Sequence, residues 1–181
     1  MKKTHRFLAA AFALAMLFSF TACGDKDNDT DKPAPTPDVH EPWQDEVHSA
    51  SSTFGLHYKG SEVAAGSLIT YVGTDDDIAN EMIAVSLVIE NKTESDVVTM
   101  QKVELVEGPN SMKEVSICGN GSCPWNGNAY TTVPGLNAAI PVAIEVHTPD
   151  HTRPVDAVYR VTVGQGRSLA DPQVVFLRIK F

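Results

Sequence analysis

Short runs of apolar residues with a period of two recur over most of the chain after residue 53. The runs lie at 54–58, 68–72, 85–89, 100–105, 142–146, 159–163 and 174–181. They are rich in β-branched and aromatic residues, and glycine, proline, asparagine and aspartate separate them. Because neighbouring side chains of a β-strand face opposite sides of a sheet, this pattern is typical of strands with one buried face. It predicts an all-β fold, a single antiparallel β-sandwich.

The sandwich is assigned to residues 49–181, a stretch long enough to bury the core of one domain. Only residues 75–85 offer a helical spacing of apolar side chains, with Asp75 or Asp76 as the cap, and one short turn is expected there. No segment repeats at intervals of roughly 20 to 50 residues, which excludes solenoids and propellers.

The first 22 residues have the three-part layout of a secretory signal peptide. A positively charged start is followed by the uncharged residues 7–20 and then by the small residues Thr21 and Ala22. The apolar run is short for a membrane-spanning helix, and it has no polar face that would suit a buried surface helix. Residues 1–22 are therefore predicted to be removed on export.

Cys23 follows directly, and this junction resembles the lipobox of bacterial lipoproteins. One departure is Phe20, where the pattern prefers leucine. The resemblance implies that Cys23 becomes the mature N-terminus and carries a diacylglycerol and an acyl chain. Two or three such chains, at about 0.8 kcal/mol per buried methylene, anchor a protein stably in a membrane. This role also explains the odd number of cysteines, three in the chain.

Residues 23–48 are predicted to be a flexible linker. They are rich in acidic residues and proline and contain few apolar residues, so they cannot bury enough surface to offset chain entropy. The acidic cluster after Cys23 resembles the signal that exports Bacteroidetes-type lipoproteins to the outer face of the outer membrane. We therefore expect a lipid-anchored protein at the cell surface, and a spacer facing the periplasm is the alternative.

The charge of the chain argues against nucleic acid as a partner. Removal of the signal peptide takes away Lys2, Lys3 and Arg6 and no acidic residue, which changes the formal net charge from −9 to −12. A strongly acidic surface repels nucleic acid and anionic lipid headgroups. Contact with the membrane is expected only through the lipid anchor.

Cys118 and Cys123 lie in a segment rich in turn-forming residues, SICGNGSCPW. In an oxidising compartment, a local disulfide between them is the expected state, worth about 2 kcal/mol for so short a loop. The disulfide would hold a hairpin tip rigid and present Pro124 and Trp125 beside it. These two residues are the predicted contact with a partner.

Residues 52–181 resemble, in the order of their motifs, an Ig-like β-sandwich module of secreted and lipid-anchored Bacteroidetes proteins. The motifs are an early YKG…GS strand pair, VSLVIENKTESDVV, SICGNGSCPW, HTPDHTRPVDAVYRVTV and the closing VVFLRIKF. Ser116-Ile117 departs from the module, which often carries an aromatic residue before the first tip cysteine. The resemblance implies an Ig-like fold and an envelope location, and it implies no defined substrate.

A structural zinc site is the main alternative for the two cysteines. Cys118 and Cys123 together with His147 and His151 supply the ligand types of such a site. A long gap containing a predicted strand separates the two pairs, and Pro149 prevents a helix from placing both histidines on one face. We therefore expect no metal here, and exposed loop histidines.

Two weaker candidate sites involve carboxylates and aromatic rings. The run 75–77 consists of three aspartates that could bind calcium, but the EF-hand pattern is absent and a solvated loop is favoured. Trp43, Trp125 and Tyr130 could stack on a sugar ring, with packing at the rim of the sandwich as the alternative.

No nucleophile elbow, zinc-protease motif or glycine-rich phosphate loop occurs in the chain. We therefore expect a protein without catalytic activity and without a cofactor. Two functions remain: a binding or adhesive module that displays its loops to a protein or glycan, or an accessory lipoprotein that docks on an outer-membrane protein complex.

Overall fold

Two five-stranded β-sheets pack face to face in the computed structural model, which describes residues 42–148 and 155–181. The strands are β1 Phe54–Tyr58, β2 Ser61–Glu62, β3 Leu68–Val72, β4 Met82–Asn91, β5 Val97–Glu107, β6 Val115–Cys118, β7 Asn128–Val133, β8 Ala139–His147, β9 Asp156–Gln165 and β10 Ala170–Lys180. The predicted signal peptide, Cys23, the linker up to residue 41 and His151 lie outside the described residues. The predicted Ig-like β-sandwich is confirmed.

The first sheet has the strand order β2-β1-β4-β8-β6, and the second has the order β3-β10-β9-β5-β7. Neighbouring strands are antiparallel except for β3 and β10, which run parallel with Ile69 opposite Leu177. The prediction of a purely antiparallel sandwich is wrong for this pair. After β2 the chain crosses from the first sheet to the second. There β3 lies at the edge of the sheet beside β10 and runs in the same direction as β10.

The core lies between the sheets and follows the alternation read from the sequence. Val85, Leu87 and Ile89 of β4 are almost completely buried, whereas the alternate residues Ala84 and Ser86 are exposed and Val88 is half-buried. Each such side chain contributes roughly 1.5 to 3 kcal/mol when it is removed from water. Among the described residues, the largest fully buried side chain is that of Tyr159, and its hydroxyl donates a hydrogen bond of 2.7 Å to the carbonyl of Met112.

The part of the chain that the structure describes has one short α-helix, α1, which spans Asp75–Ala79, as expected for a single turn. Its cap is Thr74, so the prediction of Asp75 or Asp76 as the cap is wrong. The Thr74 hydroxyl accepts a hydrogen bond from the Asp77 amide, and the Asp77 carboxylate accepts one from the Thr74 amide. This reciprocal capping box satisfies two amides at once, which favours Thr74 over its neighbours. Within the described residues, no helix is long and apolar enough to cross a membrane.

Residues 42–48 form a segment, here called the N-terminal strap, that packs on the outer face of the second sheet. A 3-10 turn, Pro42–Asp45, places the Trp43 ring 4.5 Å from that of Phe176, and Trp43 is only 9 % exposed. Glu46 forms an ion pair with Arg160. The predicted linker therefore extends too far, because its last residues belong to the packed domain.

Candidate ligand-binding tip

The Cys118–Cys123 hairpin forms the tip of the first sheet. The chain reverses through Gly119 to Ser122, where each of these two residues donates its amide to the other's carbonyl. Asn120 and Gly121 have positive φ angles of 51° and 75°, which suits the Asn-Gly pair at the centre of a tight hairpin turn. Cys118 and Cys123 form the predicted disulfide across the base of this turn.

Trp125 lies at the surface beside this disulfide. Its side chain is 51 % exposed, and it belongs to neither of the two apolar clusters of the protein. Pro124 is half-buried between the disulfide and the indole. The structure therefore places both predicted contact residues together at the tip, with the indole accessible from solvent.

A groove of about 580 Å³ opens next to Trp125, here called the tip groove. Residues 102–105 of β5 line the groove, and there Lys102 Nζ forms an ion pair with Glu104 Oε1 at 2.8 Å. Asn110 of the 3-10 turn Asn110–Met112 also lines the groove, as do Lys113 and Glu114. Because the lining comes from three separate segments, 102–105, 110–114 and 125–128, no local sequence pattern predicts the groove.

The floor of the groove is held by hydrogen bonds around Gly127. Its amide donates to the carbonyl of Val115 at 3.0 Å, and its carbonyl accepts from the amide of Val103 at 2.7 Å. Gly127 has a φ of 67°, and a Cβ at this position would lie 2.6 Å from the Val103 carbonyl oxygen. Only glycine fits this backbone without strain.

Two asparagines beside Gly127 hold each other in place. The amide of Asn128 donates to Asn126 Oδ1 at 3.0 Å, and Asn128 Nδ2 donates to the Asn126 carbonyl at 2.8 Å. This local pairing is typical of turns built on asparagine. It leaves Asn126 Nδ2 and Asn128 Oδ1 without a partner among the described residues, and both side chains line the groove.

A buried polar cluster lies between the sheets beneath the tip. Gln101 donates to Thr99 Oγ1 at 2.7 Å, and the Thr131 hydroxyl donates to Gln101 Oε1 at 3.1 Å. The Thr99 hydroxyl donates to the Thr131 carbonyl at 3.0 Å, so the three side chains satisfy one another. A Cβ on Gly119 would lie 2.6 Å from Thr131 Oγ1, which shows how closely the tip rests on this cluster.

The three aromatic residues considered for sugar stacking have different surroundings. Trp43 is packed in the N-terminal strap and presents no face to a ligand. Tyr130 of β7 is 47 % exposed and borders two smaller depressions, one of about 320 Å³ with Pro124 and one of about 270 Å³ with Arg167. Only Trp125 borders the tip groove itself.

The metal alternatives find little support in the geometry. The zinc site requires the two cysteines as thiolates, and they are joined in a disulfide. Among the described residues, the group that comes near these sulfurs is Glu145, not the proposed His147. At the candidate calcium site, Asp77 Oδ2 already accepts hydrogen bonds from the Tyr71 hydroxyl at 2.9 Å and from the Thr74 hydroxyl.

No protein-family model matches the chain, and no curated protein sequence matches it. Several solved structures resemble it in fold. The N-terminal domain of PorA aligns with a TM-score of 0.46 at 10 % identity, over 70 % of this chain and 96 % of that domain. The CooA pilin subunit from enterotoxigenic Escherichia coli aligns with a TM-score of 0.40 at 11 % identity, over 71 % and 97 %. The collagen-binding domain of a Staphylococcus aureus adhesin aligns with a TM-score of 0.35 at 8 % identity, over 73 % of this chain and 99 % of that domain. Likeness at this level concerns the β-sandwich fold alone.

Proposed function

We propose that this protein is a non-catalytic binding module of the bacterial cell surface and that the tip groove is its contact surface. The observation that carries the proposal is the half-exposed indole of Trp125 beside a groove with a hydrogen-bonded floor. A loop held by a disulfide loses little conformational entropy on binding. An indole supplies a large contact area and is enriched among residues that dominate binding energy.

The groove offers no group typical of covalent or acid–base catalysis by a triad. None of the described residues that line it is a histidine, a cysteine or a serine. Its ionisable groups are Lys102, Glu104, Lys113 and Glu114, and the first two neutralise each other in an ion pair. A nucleophile–histidine triad therefore has no residues among those that line the groove.

The proposed attachment to the membrane rests on the sequence around Cys23. The 18 residues between Cys23 and Pro42 can extend to at most about 65 Å. If they form the predicted flexible linker, the domain can present its tip to a ligand outside the cell while the acyl chains remain in the bilayer.

Photo-crosslinking in living cells tests the proposed contact surface. A benzophenone side chain is placed at Ser122, an exposed residue of the tip turn three positions before Trp125, and at Leu136 as the matched control. Leu136 is 78 % exposed and lies in the turn after β7, at the end of that strand opposite the tip. We expect crosslinked products from position 122 and none from position 136.

The same experiment in a Trp125→Ala background should lose the product, because binding weakens by about 2 kcal/mol or more. The melting temperature should stay within about 2 °C of the wild type, since an exposed side chain contributes little to stability. Equal crosslinking from both positions, or a product that persists without the indole, would refute the proposed surface.

A further inference from the structure

We propose that the tip groove binds an uncharged oligosaccharide and that one pyranose ring stacks on the indole of Trp125. This inference rests on the proposed function and names the chemical class of its ligand. The volume of about 580 Å³ falls within the roughly 300 to 1,000 Å³ typical of small-ligand pockets. The identity of the side chains around it distinguishes a saccharide from the other classes of ligand.

The groove presents paired donors and acceptors suited to hydroxyl groups. Asn126 Nδ2 is a free donor and Asn128 Oδ1 is a free acceptor among the described residues, and they lie on the two asparagines that pair across Gly127. A sugar hydroxyl both donates and accepts hydrogen bonds, so a side-chain amide satisfies it in either sense. Asn110 adds a third amide on the other side of the groove.

The indole of Trp125 supplies the one large apolar surface of the groove. A pyranose ring has one face made mainly of C–H groups, and such a face packs against the electron-rich face of an aromatic ring. The other apolar lining residues offer much less, because Val103 is buried and Leu105 is largely packed against the core. A single flat platform surrounded by amides suits a sugar ring.

The charges of the groove balance, which favours an uncharged ligand. Lys102 is paired with Glu104, and Lys113 is followed by Glu114 on the same wall, so equal numbers of each sign line the site. A phosphorylated or sulfated ligand would meet two carboxylates, and a cationic one would meet two ammonium groups. Neither sign of charge gains a net partner.

A peptide ligand fits the groove less well. Peptide recognition relies on deep apolar pockets for anchor side chains or on an extended edge strand. The groove has no such pocket among its described residues, since the indole of Trp125 is half in solvent, and of the edge strand β7 only Asn128 lines it. The rigid floor around Gly127 also leaves little freedom to open one.

Affinity electrophoresis of the native protein tests the inference directly. The gels contain one of four uncharged polysaccharides, mannan, β-glucan, galactan or arabinoxylan, or the polyanion heparin as comparison. At least one uncharged polysaccharide should retard the wild type, and heparin should not. Trp125→Ala should raise the dissociation constant about 30-fold, and Trp125→Phe, which keeps an aromatic platform, should raise it much less.

The matched control is Leu136→Ala, which removes an exposed apolar side chain far from the groove and should behave like the wild type. Retardation should be unchanged between low and high salt, because the ligand carries no charge for the salt to screen. If no uncharged polysaccharide retards the protein, or if Trp125→Ala is retarded as strongly as the wild type, the inference is overturned.

The crosslinked product from position 122 separates this inference from the proposed function. A product that periodate and glycosidases degrade supports both. A Trp125-dependent product that only proteases degrade leaves the tip as the contact surface and overturns the saccharide assignment. If no product depends on Trp125, the proposed function and the saccharide assignment both fail.

Discussion

Asn91 shows how one side chain can join separate parts of the sandwich. It is fully buried, and its Nδ2 donates to the carbonyls of Ser95, Val133 and Pro134 at 2.8, 3.1 and 3.0 Å. Its Oδ1 accepts from the amide and the hydroxyl of Thr93, both at 2.8 Å. The amide therefore connects the β4–β5 turn to the end of β7.

Asn91→Ala should lower the free energy of unfolding by about 2 to 3 kcal/mol, because the buried carbonyl of Val133 and the partly buried carbonyls of Ser95 and Pro134 lose their donor. Chemical denaturation followed by circular dichroism measures the change. The control is Asn80→Ala, which removes an exposed amide that makes one hydrogen bond, to the Asp76 carbonyl. If both variants unfold at the same denaturant concentration, the buried amide is not the connection that the structure indicates.

Asp171 makes the stability of the fold depend on pH. Its Oδ2 accepts hydrogen bonds from the hydroxyls of Ser51, Thr53 and Ser52 and from the amides of Ser52 and Thr53. The hydroxyl of Ser51 makes the largest contribution, and together these bonds lower the pKa of Asp171 to about 2. The carboxylate thereby ties the entry to β1 onto the irregular start of β10.

The pKa of Asp171 is about 2 in the folded state and about 3.9 in the unfolded state. The ionised carboxylate therefore stabilises the folded state at pH values above about 4. That contribution is lost as the pH falls from about 4 to about 2. Asp171→Asn cannot ionise, so it should be less stable than the wild type at pH 7 and equally stable near pH 2. Urea denaturation at several pH values measures the gap. The claim that the Asp171 carboxylate stabilises the fold would be contradicted if the difference in free energy of unfolding between wild type and Asp171→Asn did not change with pH. It would also be contradicted if the exposed Glu94→Gln control showed the same pH-dependent difference.

At the level of elements, alternation predicts the strands that have one apolar face and misses those that do not. β1, β3, β4, β5, β8, β9 and β10 follow the predicted runs. β7 was missed because its buried positions are Ala129, Thr131 and Val133, and the middle one is polar. Thr131 is buried only because Gln101 and Thr99, distant in sequence, satisfy its hydroxyl. β6 shows no alternation because Ser116 on its second face is buried as well.

The N-terminal strap escaped prediction for a related reason. The composition of residues 23–48 is that of a disordered segment, and a single tryptophan is enough to fix its last residues. Trp43 packs against Phe176 and Val158 on the outer face of the second sheet. The alternation of apolar residues along β9 and β10 predicts that this face is exposed to solvent. Such a satellite cluster depends on tertiary contacts that no local pattern records.

Trp43→Ala should lower the free energy of unfolding by about 3 kcal/mol, because it uncovers Phe176 and leaves a cavity in the cluster. Thermal melting of the full chain measures this effect. Val47→Ala is the matched control, since Val47 lies in the same segment and is 97 % exposed. Its melting temperature should equal that of the wild type. If Trp43→Ala melts like Val47→Ala, residues 42–48 are part of the linker after all.

At the scale of the whole molecule, the sequence predicts the components of the site better than the site itself. The disulfide and the exposed Trp125 were predicted because they lie within eight residues of each other. The tip groove was not, since its walls come from β5, from the turn at Asn110–Met112 and from the segment after Trp125. The pairing of β5 with β7, which sets Lys102 opposite Asn128, and the hydrogen bond between Val103 and Gly127 bring two of them together.

Together with the packed strap, the proposed lipid anchor predicts where a protease cuts the protein on intact cells. If Cys23 carries the acyl chains and the domain faces the medium, protease added to whole cells should cut in the linker. The released fragment should begin at or before residue 43, because cleavage within the strap requires Trp43 to leave its cluster. N-terminal sequencing of the fragment measures this boundary.

Cys23→Ala should instead yield unprocessed precursor or soluble protein that does not incorporate a fatty-acid probe. Labelling of that variant would refute the anchor, and protection of the wild type in intact cells would place the domain on the periplasmic side.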